Sequence, residues 1–216
     1  MKKIALLALS LTIFMTACPD PTANKPKAKV NEPSATKSND TKETKTSDAK
    51  GVELDLATDA TKVEFVGSKV TGKHEGGFKN VTGKINLVGD KAEDSSVTVE
   101  IDMKSTYTDS DKLTEHLLTG DFFEVGKHPK STFTSTKIVK AEGDNSYTVT
   151  GDLTLRGEKK SITFPATIKI SDDKVEVDAD FAINRKDFGI VYTGKADDLI
   201  RDNVGIKFDL ETNKKK

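Results

Sequence analysis

The sequence predicts an all-β domain of eight antiparallel strands, with one short helix between the third and fourth strands. Three observations support this fold class. Apolar residues alternate with period two along most of residues 51–216, which is typical of strands with one buried face. Short polar turns separate the alternating stretches. A single stretch has helical spacing instead. Residues 51–216 are numerous enough for one domain with its own core.

The chain begins "MKKIALLALSLTIFMTAC", in which two lysines precede an apolar run over residues 4–17. The run is too short for a transmembrane helix, which needs about 20 residues. Residues 1–17 are therefore predicted to be a secretory signal peptide. The only cysteine, Cys18, follows small residues. This arrangement resembles a bacterial lipobox, which implies that Cys18 is acylated, although Met15 replaces the usual leucine. Ordinary signal cleavage beside an unpaired thiol is the alternative.

Residues 18–50 differ sharply in composition from the rest of the chain. After Cys18, the stretch has no aromatic residue and contains four of the six prolines, with Val30 and four alanines as its apolar side chains. Such a composition buries too little surface to offset the entropy of ordering. We predict a disordered tether over residues 18–50 that begins at the acylated cysteine.

The charge of the domain excludes one class of partner. Residues 51–216 carry 25 Lys and Arg against 30 Asp and Glu, a net charge of −5. Proteins that bind nucleic acid neutralise phosphates with an excess of basic side chains. We therefore expect no nucleic acid partner.

The strands are predicted from their alternation in chain order. Three stretches, 62–70, 77–88 and 130–140, alternate weakly, and a change of parity in the second predicts a bulge near Asn80. Five stretches alternate strongly, each with one apolar and one charged face: 95–105, 146–157, 160–171, 174–184 and 203–211. The helix is predicted in "DSDKLTEHLLTGDFF", with Asp109 or Ser110 as its N-cap and leucines at helical spacing.

Two architectures fit eight such strands, namely a sandwich and a closed barrel. Alternation alone does not separate them. An eight-stranded barrel holds either its own side chains or one small ligand. Gly67, Gly83, Gly151 and Ala166 occupy inward positions. These small residues either leave a void inside the barrel or, where they are glycines, mark a bend or bulge in the strand. Both interpretations stay open.

Several segments occur together in one known family. In chain order they are "SKVTGKHEGGFKNVTGKI", "LTEHLLTGDFF", "FEVGKHPKSTFTSTKI", "YTVTGDLTLRGEKKSITFPATI" and "INRKDFGI". Over residues 60–212 the chain resembles the YceI-like family of polyisoprenoid-binding, lipocalin-like domains. The resemblance implies an eight-stranded antiparallel lipocalin-like β-barrel over residues 51–216. It also implies an elongated apolar tunnel for an isoprenoid chain, such as that of a polyprenyl phosphate or a quinone.

The tunnel wall is expected to consist of inward apolar residues, which resemble core residues in a sequence. The candidate ligand-binding residues are Phe65, Phe78, Ile85, Val99, Ile101, Leu117, Phe122, Phe123, Phe133, Leu153, Phe164, Phe181 and Phe208. Phe122 and Phe123 are expected in a helical lid over one end, with core packing as the alternative role.

Polar candidates are few. Glu115-His116 lacks the HExxH arrangement, and no CxxC or clustered histidines indicate zinc. His128 precedes Pro129, so a turn is the simpler account of that histidine. His74 and Arg185 are candidates for a ligand head-group contact, although a structural role in closing a loop is favoured for Arg185. We expect no catalytic residue, no metal, and no cofactor other than a bound isoprenoid lipid or quinone.

The sequence therefore predicts an exported lipoprotein of the bacterial cell envelope that faces the periplasm or the cell surface. Its expected partners are an isoprenoid or similar amphiphilic lipid and the membrane that holds its N-terminal anchor. Two alternatives remain. One is a solidly packed barrel acting as a stress or protein-interaction module, and the other is a lipid-modifying enzyme. Whether the domain forms a homodimer is left open.

Overall fold

The computed structural model of the chain describes residues 18–33 and 51–214. The expected signal peptide with Met15, and residues 34–50 of the expected tether, lie outside this part. The strands are β1 (Lys29–Asn31), β2 (Val52–Asp55), β3 (Lys62–Ser68), β4 (Lys73–Phe78), β5 (Val81–Val88), β6 (Lys91–Asp102), β7 (Thr106–Thr108), β8 (Lys130–Lys140), β9 (Ser146–Leu155), β10 (Glu158–Ile170), β11 (Lys174–Asn184), β12 (Gly194–Lys195), β13 (Asp198–Leu199) and β14 (Asn203–Asn213). The helix α1 spans Asp111–Leu117, and two 3₁₀ turns span Met103–Ser105 and Arg185–Phe188.

The long strands form one curled antiparallel sheet in the order β2-β5-β6-β8-β9-β10-β11-β14-β3-β4-β7. Beyond the end of β2, the Ala57 N–H donates to the Glu211 carbonyl at 2.7 Å. The hydroxyl of Thr212 donates to the Asp55 carbonyl at 2.6 Å. The end of β2 thus meets β14, and the sheet has a barrel-like shape. The predicted all-β fold is confirmed, although the described residues form more strands than the expected eight.

The predicted irregularity near Asn80 is a complete break between β4 and β5. The Asn80 N–H leaves the ladder and donates to Ser105 Oγ at 3.0 Å. On one side of the break β4 pairs with β3 and β7, and on the other β5 pairs with β6 and β2. The change of parity therefore marks the point where one stretch changes its neighbours.

The helix α1 begins after Ser110, one of the two predicted N-cap residues. Ser110 has extended backbone but makes no side-chain cap. Instead, the Thr114 hydroxyl accepts a hydrogen bond from the Thr108 N–H at 2.9 Å, which fixes the start of the helix against β7. In residues 18–33 and 51–214 no helix is long and apolar enough to cross a membrane.

The prediction of disorder is wrong for residues 18–33, which we call the strap. Strands β10 and β11 pair with each other only over Thr167–Ile170 and Val175–Asp178. Beyond that point the strap lies between them. On one side β1 pairs with β10, and on the other Ala28 N–H donates to the Ala182 carbonyl while Ala182 N–H donates to the Pro26 carbonyl, both at 2.8 Å.

Composition does not reveal the strap because its order rests on these backbone hydrogen bonds and on polar contacts such as the Lys25–Asp180 ion pair. Of its apolar side chains, Ala28 and Val30 pack against the barrel core. The strap completes a sheet that would otherwise be split, and unpaired buried N–H and C=O groups are costly. Its ordering is therefore a property of the fold as a whole.

Candidate ligand-binding chamber

One half of the barrel interior contains an apolar chamber with a volume of about 310 Å³. This volume lies near the lower end of the ~300–1,000 Å³ typical of small-molecule sites. Period-two alternation produces the wall, since every second residue of β3, β6, β9, β11 and β14 points inward. Apolar side chains dominate this wall. Its polar residues are Ser68, Lys69 and His74 near the β3–β4 turn, together with Ser131, Thr132 and Arg185.

Most of the predicted ligand-binding residues line this chamber. They are Phe65, Phe78, Ile101, Leu117, Phe122, Phe123, Phe133, Leu153, Phe181 and Phe208. The other three predicted residues do not. Ile85 and Phe164 line a second cavity of only about 30 Å³ in the opposite half of the barrel, and Val99 lies in the core.

Four phenylalanines separate the two cavities, and we call them the aromatic floor. They are Phe133, Phe164, Phe181 and Phe208, with ring centroids 4.1 to 6.0 Å apart in the contacting pairs. Phe133 and Phe208 line both cavities. Because these rings fill the barrel at mid-height, they set the depth that a ligand entering the chamber can reach.

A lid formed by α1 and residues 118–125 covers part of the chamber. The lid segment folds back on the helix, since Phe123 N–H donates to the Leu117 carbonyl at 3.0 Å. The Phe123 ring lies 6.4 Å from that of Phe65 and 6.3 Å from that of Phe78. Phe122 packs with buried Leu117 and Ile190 in a separate cluster. The two adjacent phenylalanines therefore both line the chamber and pack its cover.

Arg156, at the tip of the β9–β10 turn, ties the lid to the loop after β11. Its guanidinium donates to the Gly120 carbonyl at 2.8 Å and also to the Gly189 carbonyl. Its Nη2 lies 3.6 Å from a carboxylate oxygen of Glu124. A hydrogen bond from Lys127 is the main cause that lowers the pKa of Glu124, with Arg156 adding to it. The lid is thus fastened at its far end by charged groups.

The chamber reaches solvent beside the β3–β4 turn, at an end of the barrel that we call the rim. Lys69 and His74 line the chamber there, and their side chains are 38% and 40% exposed. The hydroxyl of Ser68, also in the wall, is buried without a hydrogen-bond partner in the described structure. Such an unsatisfied donor at the mouth is available to a polar ligand group.

His74, a predicted head-group residue, is bonded at the rim to an aspartate. Its Nδ1 lies 2.8 Å from Asp109 Oδ1. Burial alone would raise the pKa of Asp109, but the hydrogen bonds from His74 and from the Glu75 N–H outweigh burial and lower it. Only Nε2 of the imidazole is left for a ligand.

Arg185, the other predicted head-group residue, is 4% exposed and borders the chamber. Its Nη1 donates to the Ile190 carbonyl at 2.6 Å, and its Nε donates to the Arg201 carbonyl at 3.1 Å. Its Nη2 reaches the Ile200 carbonyl at 3.3 Å and Asp202 at 3.4 Å. Burial lowers the pKa of Arg185, while Asp202 opposes that shift. Most of its donors therefore hold the loops after β11, which is the structural role favoured from the sequence.

The remaining two histidines lie outside the chamber wall. His116 Nε2 lies 2.7 Å from Asp121, and its ring meets the edges of Phe122 and Tyr192. His128 packs over Gly157, where an added Cβ would lie 2.6 Å from the imidazole. Among the described residues no group of three or more His, Cys, Asp or Glu side chains could hold a metal ion.

The inward glycines are of two kinds: one leaves a void in the barrel, and the others allow close approach of neighbouring atoms. Gly67 lines the chamber, and a Cβ added there would meet nothing within 4 Å. At Gly83 a Cβ would lie 2.1 Å from the Thr98 carbonyl oxygen, and at Gly151 it would lie 2.5 Å from the Phe133 ring. Gly67 therefore leaves space for a ligand, whereas the other two allow close packing.

Sequence reasoning missed several lining residues. Leu155, Ile183 and Ile206 share the inward faces of predicted strands, so the alternation itself could have identified them. Ile190 and Ile200 lie in irregular segments near Arg185, where no periodicity marks a buried side chain.

The sequence matches the YceI-like domain family over residues 54–212, in agreement with the resemblance seen in the segments above. Similar curated proteins include the UPF0312 protein of Pseudomonas putida strain KT2440, 30% identical over 138 residues, which are 61% of this chain and 71% of the relative. The UPF0312 protein of Vibrio campbellii is 37% identical over 92 residues, 43% of this chain and 48% of that protein.

Solved structures give the same result for the fold. Burkholderia cenocepacia BcnA superimposes with a TM-score of 0.66 at 27% identity, covering 72% of this chain and 98% of that one. A polyisoprenoid-binding domain from Saccharophagus degradans, implicated in plant cell wall breakdown, has a TM-score of 0.62 at 20% identity and covers 75% and 98%. The YceI protein of Campylobacter jejuni has a TM-score of 0.54 at 27% identity and covers 65% and 85%.

Proposed function

Because this chain belongs to the YceI-like domain family, we propose that its chamber binds the chain of an isoprenoid or similarly amphiphilic lipid. The observation that carries the proposal is a predominantly apolar wall around free space, open at one end. Moving apolar ligand surface into such a space gains about 2.5 kcal/mol per 100 Å². The polyisoprenoid-binding domain of Saccharophagus degradans, which shares the fold, supports the same ligand class.

The polar groups at the rim fit the head of such a lipid. The chamber wall is apolar at the aromatic floor, while Ser68, Lys69 and His74 stand at the open end. An amphiphile would therefore enter tail first and leave its head beside these side chains. Quinones and polyprenyl phosphates both have this form.

We further propose that the protein sequesters or carries this lipid at the bacterial cell envelope, held there by acylation of Cys18. The binding needs no covalent chemistry. A solidly packed interaction module is the weaker alternative, because the chamber is not filled by side chains. The enzyme alternative would require a polar cluster facing the ligand tail. Away from the open end the polar lining residues are Ser131, Thr132 and Arg185, of which Ser131 donates to the Thr154 carbonyl and Arg185 donates to loop carbonyls.

A pair of glycine substitutions tests lipid binding without disturbing the core. Gly67→Phe places a ring in the free space of the chamber, whereas Gly126→Phe adds the same ring in the exposed loop before β8, also with no atom near its Cβ. Binding of a polyprenyl phosphate and of a long-chain quinone would be measured by calorimetry. The proposal predicts loss of binding for Gly67→Phe and unchanged binding for Gly126→Phe. Equal affinities of both variants for the ligand would contradict it.

A further inference from the structure

The first residue that the strap presents, Cys18, is fixed at the rim of the chamber. Its N–H donates to the Val70 carbonyl at 3.1 Å, in the turn between β3 and β4. Its carbonyl accepts a hydrogen bond from Arg201 Nη2 at 3.0 Å. The Arg201 N–H in turn donates to the carbonyl of Ser68, a residue of the chamber wall, at 2.8 Å.

The rest of the strap holds this position. Thr22 is 1% exposed, and both its N–H and its hydroxyl donate to Asp20 Oδ1, at 2.8 and 2.7 Å. Further along, Lys25 forms an ion pair with Asp180 of β11 before the chain enters the split beside β10. Cys18 is therefore bonded directly to the barrel, with no flexible segment between them.

Three exposed apolar side chains stand around the same rim. They are Val70 at 42% exposure, Val191 at 62% and Leu199 at 49%. Val70 is in the turn that holds Cys18. Leu199 lies between Asp198, which bonds to Thr71 of that turn, and Ile200, which lines the chamber. Val191 follows Ile190, another lining residue.

The charges at the rim are largely paired with one another. Lys69 pairs with Asp198, Lys73 with Glu75 at 2.6 Å, and Lys186 with Asp202 at 2.9 Å. A surface with neutralised charges and protruding apolar side chains fits a lipid interface better than an anionic polymer.

We propose that the rim docks on the surface of a lipid bilayer, with Val70, Val191 and Leu199 inserted and Cys18 at the contact. This inference rests on the proposed function, because it makes the chamber mouth continuous with the membrane from which the lipid ligand is taken. N-acylation of Cys18 leaves one N–H on that nitrogen, so the bond to Val70 survives processing. In this arrangement the open end of the chamber faces the membrane directly, and residues 18–33 do not act as a disordered tether.

A single-tryptophan experiment tests the orientation. The chain contains no tryptophan, so Leu199→Trp and Val139→Trp each introduce one reporter. Val139 is 43% exposed and lies on β8 near its turn to β9, at the barrel end opposite the rim. Each full-length variant, purified from an exporting bacterium, is mixed with phosphatidylethanolamine and phosphatidylcholine vesicles that contain brominated acyl chains.

The proposal predicts quenching and a shift to shorter wavelength for Leu199→Trp, with Val139→Trp unchanged. It also predicts weak dependence on salt, because the rim charges are paired. Equal behaviour of the two reporters, or no quenching of either, would overturn the docking inference whether or not Cys18 carries acyl chains. Lipid content of the same preparations is measured separately by extraction, so failure of docking and failure of lipid binding are distinguishable.

A second variant tests the consequence for transfer. Val70→Ser, Val191→Ser and Leu199→Ser together should slow transfer of a fluorescent isoprenoid from vesicles by about tenfold, since apolar insertion is lost. The control carries Val52→Ser and Val139→Ser, which are exposed apolar residues away from the rim. An unchanged transfer rate in the rim variant would contradict docking through these residues.

Discussion

The ring of Phe164 lies stacked on the ring of Phe181, with centroids 4.1 Å apart and an angle of 10° between the ring planes. This pair joins two neighbouring strands, β10 and β11, at the height where they begin to diverge around the strap. Together with Phe133 and Phe208, it closes the end of the chamber opposite the rim. The depth of the chamber is therefore set by side chains and is open to change by mutation.

Removing one ring of the aromatic floor should lengthen the space available to a ligand. Phe208 lines both cavities, so Phe208→Ala should join them and shift the bound lipids toward longer chains. The same change should cost about 3–5 kcal/mol of unfolding free energy in the empty protein. The chain lengths of lipids retained after expression are measured by mass spectrometry.

Phe188→Ala is the matched control for that experiment. Phe188 is fully buried and lies outside the chamber wall, in the turn after β11. It should lower stability by a similar amount without changing which chain lengths are retained. The same shift in both variants would indicate general loosening of the barrel instead of a role for the floor.

The lid should control how fast a ligand leaves. Phe123→Ala removes the ring that contacts Phe65 and Phe78 over the chamber, so we expect dissociation to be about tenfold faster, corresponding to roughly 1.4 kcal/mol of lost contact. Stopped-flow displacement of a fluorescent isoprenoid measures the rate. Leu118→Ala, in the same segment but outside the wall, should leave dissociation unchanged; equal acceleration by both changes would argue against the lid.

Arg185 should behave as a structural residue. Arg185→Met leaves the carbonyls of Ile190, Ile200 and Arg201 without their donor, so we expect a loss of about 3 kcal/mol in unfolding free energy. Urea denaturation measures the unfolding free energy of the variant and of the parent protein. A variant of normal stability with weakened binding of polyprenyl phosphate would instead assign the guanidinium to the ligand head group.

The strap should stabilise the barrel through Val30. This side chain packs against the core from the split between β10 and β11, while its neighbour Lys29 is exposed. Val30→Ser should cost about 1–2 kcal/mol, and Lys29→Ser should cost little. The stability of each variant is measured by thermal unfolding and by amide exchange along β10. Equal stability of the two variants would show that the strap contributes nothing through its apolar contacts.

The rim should weaken in acid through Asp198. A hydrogen bond from Lys69 is the main cause that lowers the pKa of Asp198, and Thr71 adds to it. A carboxyl with a lowered pKa in the folded state stabilises it fully above its ordinary value of about 3.9. That contribution is lost as pH falls through the lower folded value.

Asp198→Asn should therefore reduce the melting temperature near neutral pH and converge with the parent protein as the pH falls through the lowered pKa of Asp198. Asp144→Asn, in the exposed turn between β8 and β9, serves as the control for loss of one negative charge. A gap between Asp198→Asn and the parent that stays constant down to the lowest pH would refute the role of this carboxylate.

The sequence predicts the long strands well because each has one face in water, so alternation marks their inward residues. It does not predict short strands such as β1, β2 and β7, which are too brief to show a pattern. It also indicates the lid, since leucines at helical spacing interrupt the alternation. It does not predict the strap, whose order depends on the divergence of β10 and β11, a tertiary feature. The sequence also does not show that Phe181 lines the chamber whereas Phe164 lines the second cavity. Both side chains point inward, and their stacking in the aromatic floor decides which cavity each one faces.

Native mass spectrometry tests the central claim most directly. The exported chain with Cys18→Ser, which removes the proposed acylation site, is purified without detergent and weighed under non-denaturing conditions. We predict a reproducible adduct of several hundred daltons, identified as an isoprenoid after solvent extraction and absent from Gly67→Phe. A bare protein mass that takes up neither polyprenyl phosphate nor quinone on addition would contradict lipid binding and favour a protein-interaction module.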